Sequence, residues 1–328
     1  MKLVIIIVSW NTRDLLRRSI LTARASLAGA GIDYAIIVVD NASRDGSPAM
    51  LRAEFPDVRL IEPGHNLGFA GGNNMALRAV LSDEFLVASE GNFNSKLKTQ
   101  NSKLDYIMLL NSDTEVVGDA LPQLVRYLDA HSDVDLVGPQ LRYANGTIQS
   151  SRRRAPERGV FFFESTPLEA WFPHNRWARH YRMEDTPDNA AQDVDWLVGA
   201  ALLVRCSAIE RAGLLDDGFV MYSEELEWQE RIRRGGRRIV YLPHAVIIHH
   251  EGKSSSQVPA RRLIQFQRSR MRYVRMTYGP QHALGLWAFL ELAYGAELLT
   301  EAAKWLLGHK RPLRTERIRL YAQFIRSL

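Results

Sequence analysis

The stretch YIMLLNSDTEV, Tyr106–Val116, constrains the fold more than any other part of the chain. An apolar run ends abruptly in Asn111, Ser112 and Asp113. A short apolar run bounded by polar residues is the pattern of a strand buried on both faces. Open α/β sheets are built from such strands, and their ligands bind just beyond the carboxyl ends. A lone carboxylate placed there, after a small residue that lets a ligand approach, suits a divalent cation carrying a diphosphate. A simple turn cap is the alternative role for Asp113.

The residues before it repeat the same rhythm. LVIIIVSW predicts a first strand, and Asn11 or Thr12 a cap for the helix through Leu15, Leu16, Ser19, Ile20 and Ala23. YAIIVVD predicts a second strand ending in Asp40, followed by a helix with Ser47 as N-cap and Pro48 as its first position. VRLIEP is a third strand, and HNLGFAGGNN leads into a helix beginning near Asn73. Buried strands separated by helices call for parallel pairing through right-handed crossovers.

Polar residues gather where these strands end. Asp40 can accept hydrogen bonds from a base or ribose, and Gly68, Gly71 and Gly72 allow close approach of backbone to an anion. The glycines do not form G-x-G-x-x-G after the first strand, and no G-x-x-x-x-G-K-[ST] loop occurs, which disfavours dehydrogenases and ATPases. Residues 82–104, rich in Ser, Asn and Lys, break the rhythm and predict a polar surface insertion.

Composition narrows the class. A chain of 328 residues with 46% hydrophobic and 24% charged residues suits a globular enzyme with a sizeable core. One cysteine, Cys206, fits a reducing compartment such as the cytoplasm. The N-terminal apolar run has no small-residue cleavage site after it and reads as a strand, not a signal peptide. The net charge of +5 collects at Arg152–Arg154 and through Arg261–Arg275, which favours a membrane surface or a phosphorylated substrate over nucleic acid.

Beyond a helix at Ala120–Ala130, DVDLVGPQ predicts a strand and Asn145-Gly146 a hairpin turn. Residues 152–190 mix arginines, aromatics and prolines, which suits either a sugar or lipid acceptor or packing under a long loop. The arginines at 152–154 face a phosphate or form a solvated loop. VDWLVGAALLVR predicts one strand, and IVYLPHAVIIHHEG two β-like segments around Pro243. Between them, SEELEWQERIRRGG predicts a helix capped by Ser223 and ended by Gly235. Its acidic first turn and basic last turn complement the helix dipole, and Glu227–Arg231 and Glu230–Arg234 are i,i+4 pairs. Glu224 and Glu225 follow an aromatic, glycine-containing loop that can deliver them to a cleft.

Taken in order, VSWN, VVDNASRDGS, NLGFAGGNN and LLNSDTE resemble the family 2 glycosyltransferases, in particular their bacterial rhamnosyltransferase-like branch. The resemblance implies an α/β, GT-A-type nucleotide-diphosphosugar transferase fold, with a Rossmann-like mixed sheet. It implies donor contacts from Ser9, Trp10, Asn11, Asp40, Asn41, Asn66, Gly68, Phe69, Asn73, Asn111 and Asp113. Asp40 would meet the nucleoside, and Asp113 a metal on the diphosphate. Asn-Ser-Asp stands where Asn-Pro-Asp or Asp-x-Asp is more usual, with the aspartate kept.

Further on, WLVGAALLVR, GFVMYSEELEW and YLPHAVIIHHEGKSS resemble the family's acceptor-side Gly-Ala segment, its F-x-x-Y-x-E-D-x-D helix and its Y-x-P…H…S tail. On that match Glu225 takes the place of the catalytic aspartate and His249 that of the second metal ligand. Trp196, Gly199, Ala200, Glu224 and Trp228 fall on the acceptor side. Glu225 and Glu227 are each longer by a methylene than the family's aspartates. The implied reaction is metal-dependent, inverting transfer from dTDP-rhamnose or a UDP-hexose to a cell-surface glycan or lipid-linked acceptor. Carboxylate, imidazole and phosphate oxygens suit Mg2+ or Mn2+. A sugar nucleotidyltransferase is the enzymatic alternative, but VSWNTRD lacks its glycine-rich loop. A non-catalytic carbohydrate- or membrane-binding protein with a degenerate site is the other.

These readings give a transferase domain over residues 1–256 and a helical extension over 257–328. The extension pairs a basic helix with an apolar one interrupted by Glu291, Glu297, Glu301 and Lys304. That predicts peripheral contact with anionic membrane at the inner face of the plasma membrane, without spanning it. A helical contact in a homodimer, or with the domain itself, is the alternative.

Overall fold

The computed structural model describes residues 1–82, 104–219, 221–252 and 259–327. The insertion expected over 82–104 therefore lies, apart from its two end residues, outside the described residues. Two compact units divide the chain: Met1–Arg153, Pro187–Val220 and Glu224–Ser254 form the first, and Arg154–Thr186, Met221–Ser223 and Ser255–Leu328 the second. The helical extension expected from residue 257 thus shares its unit with an earlier segment.

In the first unit, β1 (Leu3–Ser9), β2 (Tyr34–Asp40), β3 (Arg59–Ile61) and β4 (Tyr106–Asn111) pair in parallel in the order β3-β2-β1-β4. Ile5 stands beside Ile36 on one side and Met108 on the other. Both faces of β1 are buried, which is why its apolar run shows no alternation. The connecting helices are α1 (Arg13–Leu27), α2 (Ser47–Glu54) and α3 (Gly68–Leu81). The sheet then turns mixed. β10 (Ala201–Arg205) runs antiparallel between β4 and β6 (Val134–Arg142), and β11 (Arg238–His249) continues parallel to β6. β5 (Thr114–Val116) and β8 (Gln192–Val194) both pair antiparallel with β11, and α4 (Ala120–Ala130) links β5 to β6. The core beneath joins Leu16, Ile20, Leu110, Leu124, Leu203 and Ile247.

Four local expectations need correcting. α3 begins at Gly68, not near Asn73, because Gly68 takes a left-handed φ of 74° and its N–H donates to Asn66 Oδ1 at 2.8 Å. Ser47 is the first residue of α2, not its cap. Gly46 occupies the cap position, and Asp45 accepts from the Ser47 N–H at 3.0 Å and the Arg13 N–H at 2.7 Å. VDWLVGAALLVR forms short pieces, with β9 (Trp196–Leu197) pairing with β7 (Arg152–Arg153) before β10. β11 is one strand through Pro243, with its register shifting between Leu242 and Val246, and a bulge is where a strand tolerates proline.

The second unit holds the short helices α5 (Val160–Phe163), α6 (Pro167–Trp171) and α7 (Arg176–Tyr181). α8 (Cys206–Ala212) and α9 (Glu224–Arg233) belong to the first unit, whereas α10 (Pro259–Tyr278), α11 (Pro280–Leu306) and α12 (Arg311–Ile325) complete the second. Arg270 is buried there, and its guanidinium donates to the Glu164 carbonyl at 2.7 Å and to the Phe161 carbonyl.

Candidate functional site

The strand ends of the first unit converge on Asp113. β4 stops at Asn111, and Thr114 pairs with His249 in the antiparallel β5–β11 ladder. That register sets Asp113 Oδ1 3.3 Å from His249 Nε2, both residues being buried. The neighbouring His250 turns elsewhere: its Nε2 lies 2.7 Å from Glu115 Oε1, and its N–H donates to the Asp113 carbonyl.

Gln149 decides which face His249 presents. The Gln149 amino group donates to Glu251 Oε2 at 2.8 Å, so its oxygen is the atom facing His249 Nδ1 at 3.0 Å. Nδ1 is then the donor to Gln149, and in a neutral ring that arrangement leaves the lone pair on Nε2. Asn111 Nδ2 approaches that lone pair at 3.5 Å. Nε2 and the Asp113 carboxylate oxygen are then two electron-pair donors that a shared cation would bridge. The pair fits a divalent metal by donor chemistry. No group of three or more His, Cys, Asp or Glu occurs among the described residues, so an ion there needs phosphate or water oxygens to complete its shell.

Around this pair the loops after β1 and β2 are tied to one another. Ser9 and Thr12 hydroxyls lie 3.0 Å apart, and Thr12 reaches Ser112 at 2.9 Å. Asn11 has a φ of 52° and accepts from the Arg44 N–H at 2.7 Å. Asp40 is buried at the end of β2. Its Oδ2 accepts from the Ser43 N–H at 2.8 Å, whereas its Oδ1 is sealed from solvent without a hydrogen-bond partner among the described residues. Asn41 donates to the Gly68 carbonyl at 2.9 Å, and Asn73 to the Phe69 carbonyl at 3.0 Å. Ser9, Asn41 and Asn73 are buried, while Trp10, Asn66 and Phe69 retain exposed surface.

Glu225 occupies the second position of α9. Tyr222 and Ser223, just before that helix, take left-handed φ of 72° and 66°, costly at non-glycine residues. The Glu225 side chain lies against Gly199, where a Cβ would sit 3.3 Å from Glu225 Cβ and 3.5 Å from the Phe69 ring. Gly199, expected on the acceptor side, thus lies close to both the expected catalytic residue Glu225 and the expected donor residue Phe69. The residue as a whole is half-buried, but Oε2 is sealed from solvent with no hydrogen-bond partner among the described residues. Burial pushes its pKa above the ordinary glutamate value, opposed by the Gly199 N–H and by the Arg153 charge.

The other expected residues divide. Glu224 is buried beside Glu225 and engaged, and Ala200 accepts from the Asn111 N–H at 2.9 Å. Trp196 is buried with the Arg153 guanidinium 5.9 Å from its ring centre. Trp228 must be withdrawn from the acceptor side: it is fully buried and its Nε1–H donates to the Gly213 carbonyl at 2.8 Å, so it is core. Glu227 holds Arg231 through two contacts of 2.7 and 2.8 Å, as i,i+4 spacing predicts. Arg152 and Arg153 are used internally, on Gln192 and Ser150.

Gln149 and Gln229 escaped the reading of the sequence. Gln149 follows the Asn145-Gly146 turn and meets His249 across a separation of 100 residues, with no local pattern to announce it. Buried Gln229 accepts from the Leu197 N–H at 2.8 Å and donates to the Leu197 carbonyl at 2.7 Å, clamping α9 to β9. Its only local signal is a polar residue on the buried stripe of a helix.

A family model described as "Glycosyltransferase like family 2" matches residues 2–268. N-acetylglucosaminyl-diphospho-decaprenol L-rhamnosyltransferase of Mycobacterium tuberculosis is 28% identical over 236 residues, 71% of this chain and 72% of its own. Rhamnosyltransferase WbbL of Escherichia coli K12 is 26% identical over 192 residues, 57% of this chain and 63% of its own. Among solved structures, mannosyltransferase PcManGT from Pyrobaculum calidifontis, in complex with GDP-Man and Mn2+, superposes with a TM-score of 0.51. It is 16% identical, over 99% of this chain and 85% of its own. GalNAc-T7 with UDP, GalNAc and Mn2+ gives a TM-score of 0.51 at 14% identity, over 76% of this chain and 43% of its own. At such identities the likeness is one of fold, a GT-A-like mixed sheet.

Proposed function

This chain belongs to glycosyltransferase-like family 2, and we propose that it transfers a hexosyl group from a nucleoside diphosphate sugar to an acceptor hydroxyl, with inversion. The observation that carries this reading is the Glu225 carboxylate, held buried with one oxygen unpartnered, in the unit that pairs Asp113 with His249. An acceptor hydroxyl hydrogen-bonded to Oε2 gives up its proton there as its oxygen attacks the anomeric carbon. The bond from that carbon to the diphosphate breaks, and its electron pair leaves with the diphosphate. One base and no second nucleophile imply a single displacement.

Asp113 Oδ1 and His249 Nε2 are the atoms that would hold a divalent cation, Mg2+ or Mn2+. Such an ion, when bound, neutralises charge on the departing diphosphate. Asp40 Oδ1, a buried acceptor without a partner, suits the imide N–H of thymine or uracil, which supports dTDP-rhamnose or a UDP-hexose as donor. The loops bearing Trp10, Asn11, Asn66, Gly68 and Phe69 would line the donor. Trp196, Gly199, Ala200 and Glu224 would orient the acceptor.

That both relatives are named rhamnosyltransferases supports a rhamnosyl donor, and the N-acetylglucosaminyl-diphospho-decaprenol in the name of the Mycobacterium tuberculosis relative supports a lipid-diphosphate acceptor. We accordingly put the chain at the cytoplasmic face of a membrane, bound peripherally. α11 is long and apolar enough to cross a bilayer by length and composition alone. Against crossing stands its buried face, where Leu286, Leu290 and Tyr294 pack within their own unit and Glu301 pairs with Arg314.

Calorimetry with a panel of sugar nucleotides tests the reading. One donor should bind in the presence of Mn2+ or Mg2+ and lose most of its signal in EDTA and in Asp113→Ala. Equal affinity with and without metal would sink the metal assignment, and no binding by any sugar nucleotide would sink the transferase.

A further inference from the structure

The second unit carries a groove of about 800 Å³ that the transfer reaction does not use. Met271, Met276, Ala283, Leu284 and Trp287 give it an apolar lining, and Arg272 and Arg275 bring two guanidinium groups to it. The arginines stand at i and i+3 on α10, neighbours on one helix face, and both are exposed. Leu284 is 64% exposed, Met276 52% and Trp287 40%, so the apolar lining is open.

The groove is also one end of a longer surface. Between Gln281 and Ala303 none of the exposed positions of α11 is charged, although the helix contains Glu291, Glu297 and Glu301. Leu292 and Leu299, 76% and 72% exposed, continue the stripe that Leu284 begins. The stripe extends over roughly 33 Å of helix axis. An uncharged outer face of this length, with arginines and an amphipathic Trp at one end, matches the layering of a bilayer interface. A soluble anion would meet the arginines but leave the apolar lining exposed to water.

We infer that this groove binds one anionic phospholipid of the bilayer, its phosphate between Arg272 and Arg275 and an acyl chain along Met276, Leu284 and Trp287. The inference rests on peripheral membrane binding and adds to it a defined lipid site. Phosphate takes charge-assisted hydrogen bonds from both guanidinium groups. The chain replaces water against the thioether and indole surfaces, each buried methylene adding to the affinity.

Sedimentation of the full-length protein with vesicles tests it. Wild type should bind phosphatidylcholine vesicles containing phosphatidylglycerol and not phosphatidylcholine alone. Arg272→Ala/Arg275→Ala should weaken binding roughly 30-fold, a factor of about five per arginine. Arg52→Ala/Arg126→Ala, which removes equal charge from exposed residues of the first unit, should change it by less than about threefold. Leu284→Glu should weaken binding by at least roughly tenfold, and Leu299→Glu, outside the groove, by clearly less.

If wild type binds no vesicle, peripheral membrane binding itself falls. If it binds but the two arginine pairs, or the two glutamate variants, behave alike, the membrane contact stands and the lipid site is overturned. Tighter binding to vesicles carrying a prenyl phosphate at equal charge would overturn the phospholipid assignment. A self-association that Leu284→Glu abolishes, without vesicle binding, would assign the surface to a second copy of the chain.

Discussion

In the proposed reaction, Glu225 and Gln149 carry most of the chemistry that single residues can decide. An unpartnered carboxylate oxygen sealed from solvent is costly unless a ligand arrives to use it. Burial raises the Glu225 pKa, and Arg153 pulls it down. A raised native pKa favours the protonated fold, so this group's contribution to stability falls as pH rises through that pKa. The base works only when ionised, so acceptor turnover should climb across the same window, above the ordinary glutamate range. Arg153→Ala should move that limb to higher pH; an unmoved limb would mean that the titrating group is not Glu225. Glu225→Gln should cut turnover roughly 10²–10⁴-fold with donor affinity preserved, and Glu225→Asp should keep part of the activity. If Glu224→Gln abolishes turnover while Glu225→Gln does not, the base is Glu224.

At the proposed metal pair, Gln149→Leu removes the acceptor that faces His249 Nδ1. Mn2+ affinity, read by electron paramagnetic resonance, should fall about 10–100-fold. Imidazole 15N shifts should show the Nδ1–H tautomer in wild type and a mixture in the variant. His250→Ala, whose ring is engaged with Glu115, should leave both signals unchanged.

Among the elements, β1, β2 and β4 were legible because strands buried on both faces read as unbroken apolar runs ending at Ser9, Asp40 and Asn111. The parts that were not legible depend on contacts distant in sequence. β5 is three residues long, too short for a pattern, yet its register with β11 is what sets Asp113 beside His249. The break between β9 and β10 falls at Gly199, where Glu225 and Phe69 crowd the backbone. Composition does not reveal such a crossing. The family resemblance implied Glu225, but the tie between α9 and β9 runs through Gln229, and its partner Leu197 is 32 residues away. Gln229→Leu would strand a buried N–H and a buried C=O of Leu197, each costing about 1–3 kcal/mol. Urea unfolding should show a loss of about 2–6 kcal/mol, and turnover should fall beyond what the remaining folded fraction explains, because Glu225 loses its anchor. A stability loss with unchanged turnover per folded molecule would reduce Gln229 to a structural role.

On the scale of the molecule, each unit holds a buried carboxylate paired with arginine. The first surrounds an apolar sheet core and pairs buried Asp135 with Arg211 and Arg237, and the second pairs buried Glu301 with Arg314 between its helices. Glu301 is 1% exposed, and Arg314 Nη1 donates to both its oxygens, at 2.9 and 2.7 Å. Burial alone would push the Glu301 pKa up, but Arg314, Lys304 and Arg317 hold it below the ordinary glutamate value. A carboxylate with a depressed native pKa contributes stability above its unfolded pKa, and that contribution is lost as pH falls through the native one. Glu301→Gln at neutral pH leaves Arg314 buried without its counter-charge, which costs about 3–5 kcal/mol. Glu301→Leu/Arg314→Leu removes both charges and should recover most of that loss, since two apolar side chains need no pairing. Urea titrations followed through tryptophan emission, to which Trp287 and Trp305 of α11 contribute, can measure all three proteins. The gap between wild type and Glu301→Gln should be full at neutral pH and close as pH drops below the ordinary glutamate range. A gap that does not change with pH would mean that packing, not charge, is what Glu301 supplies to the second unit.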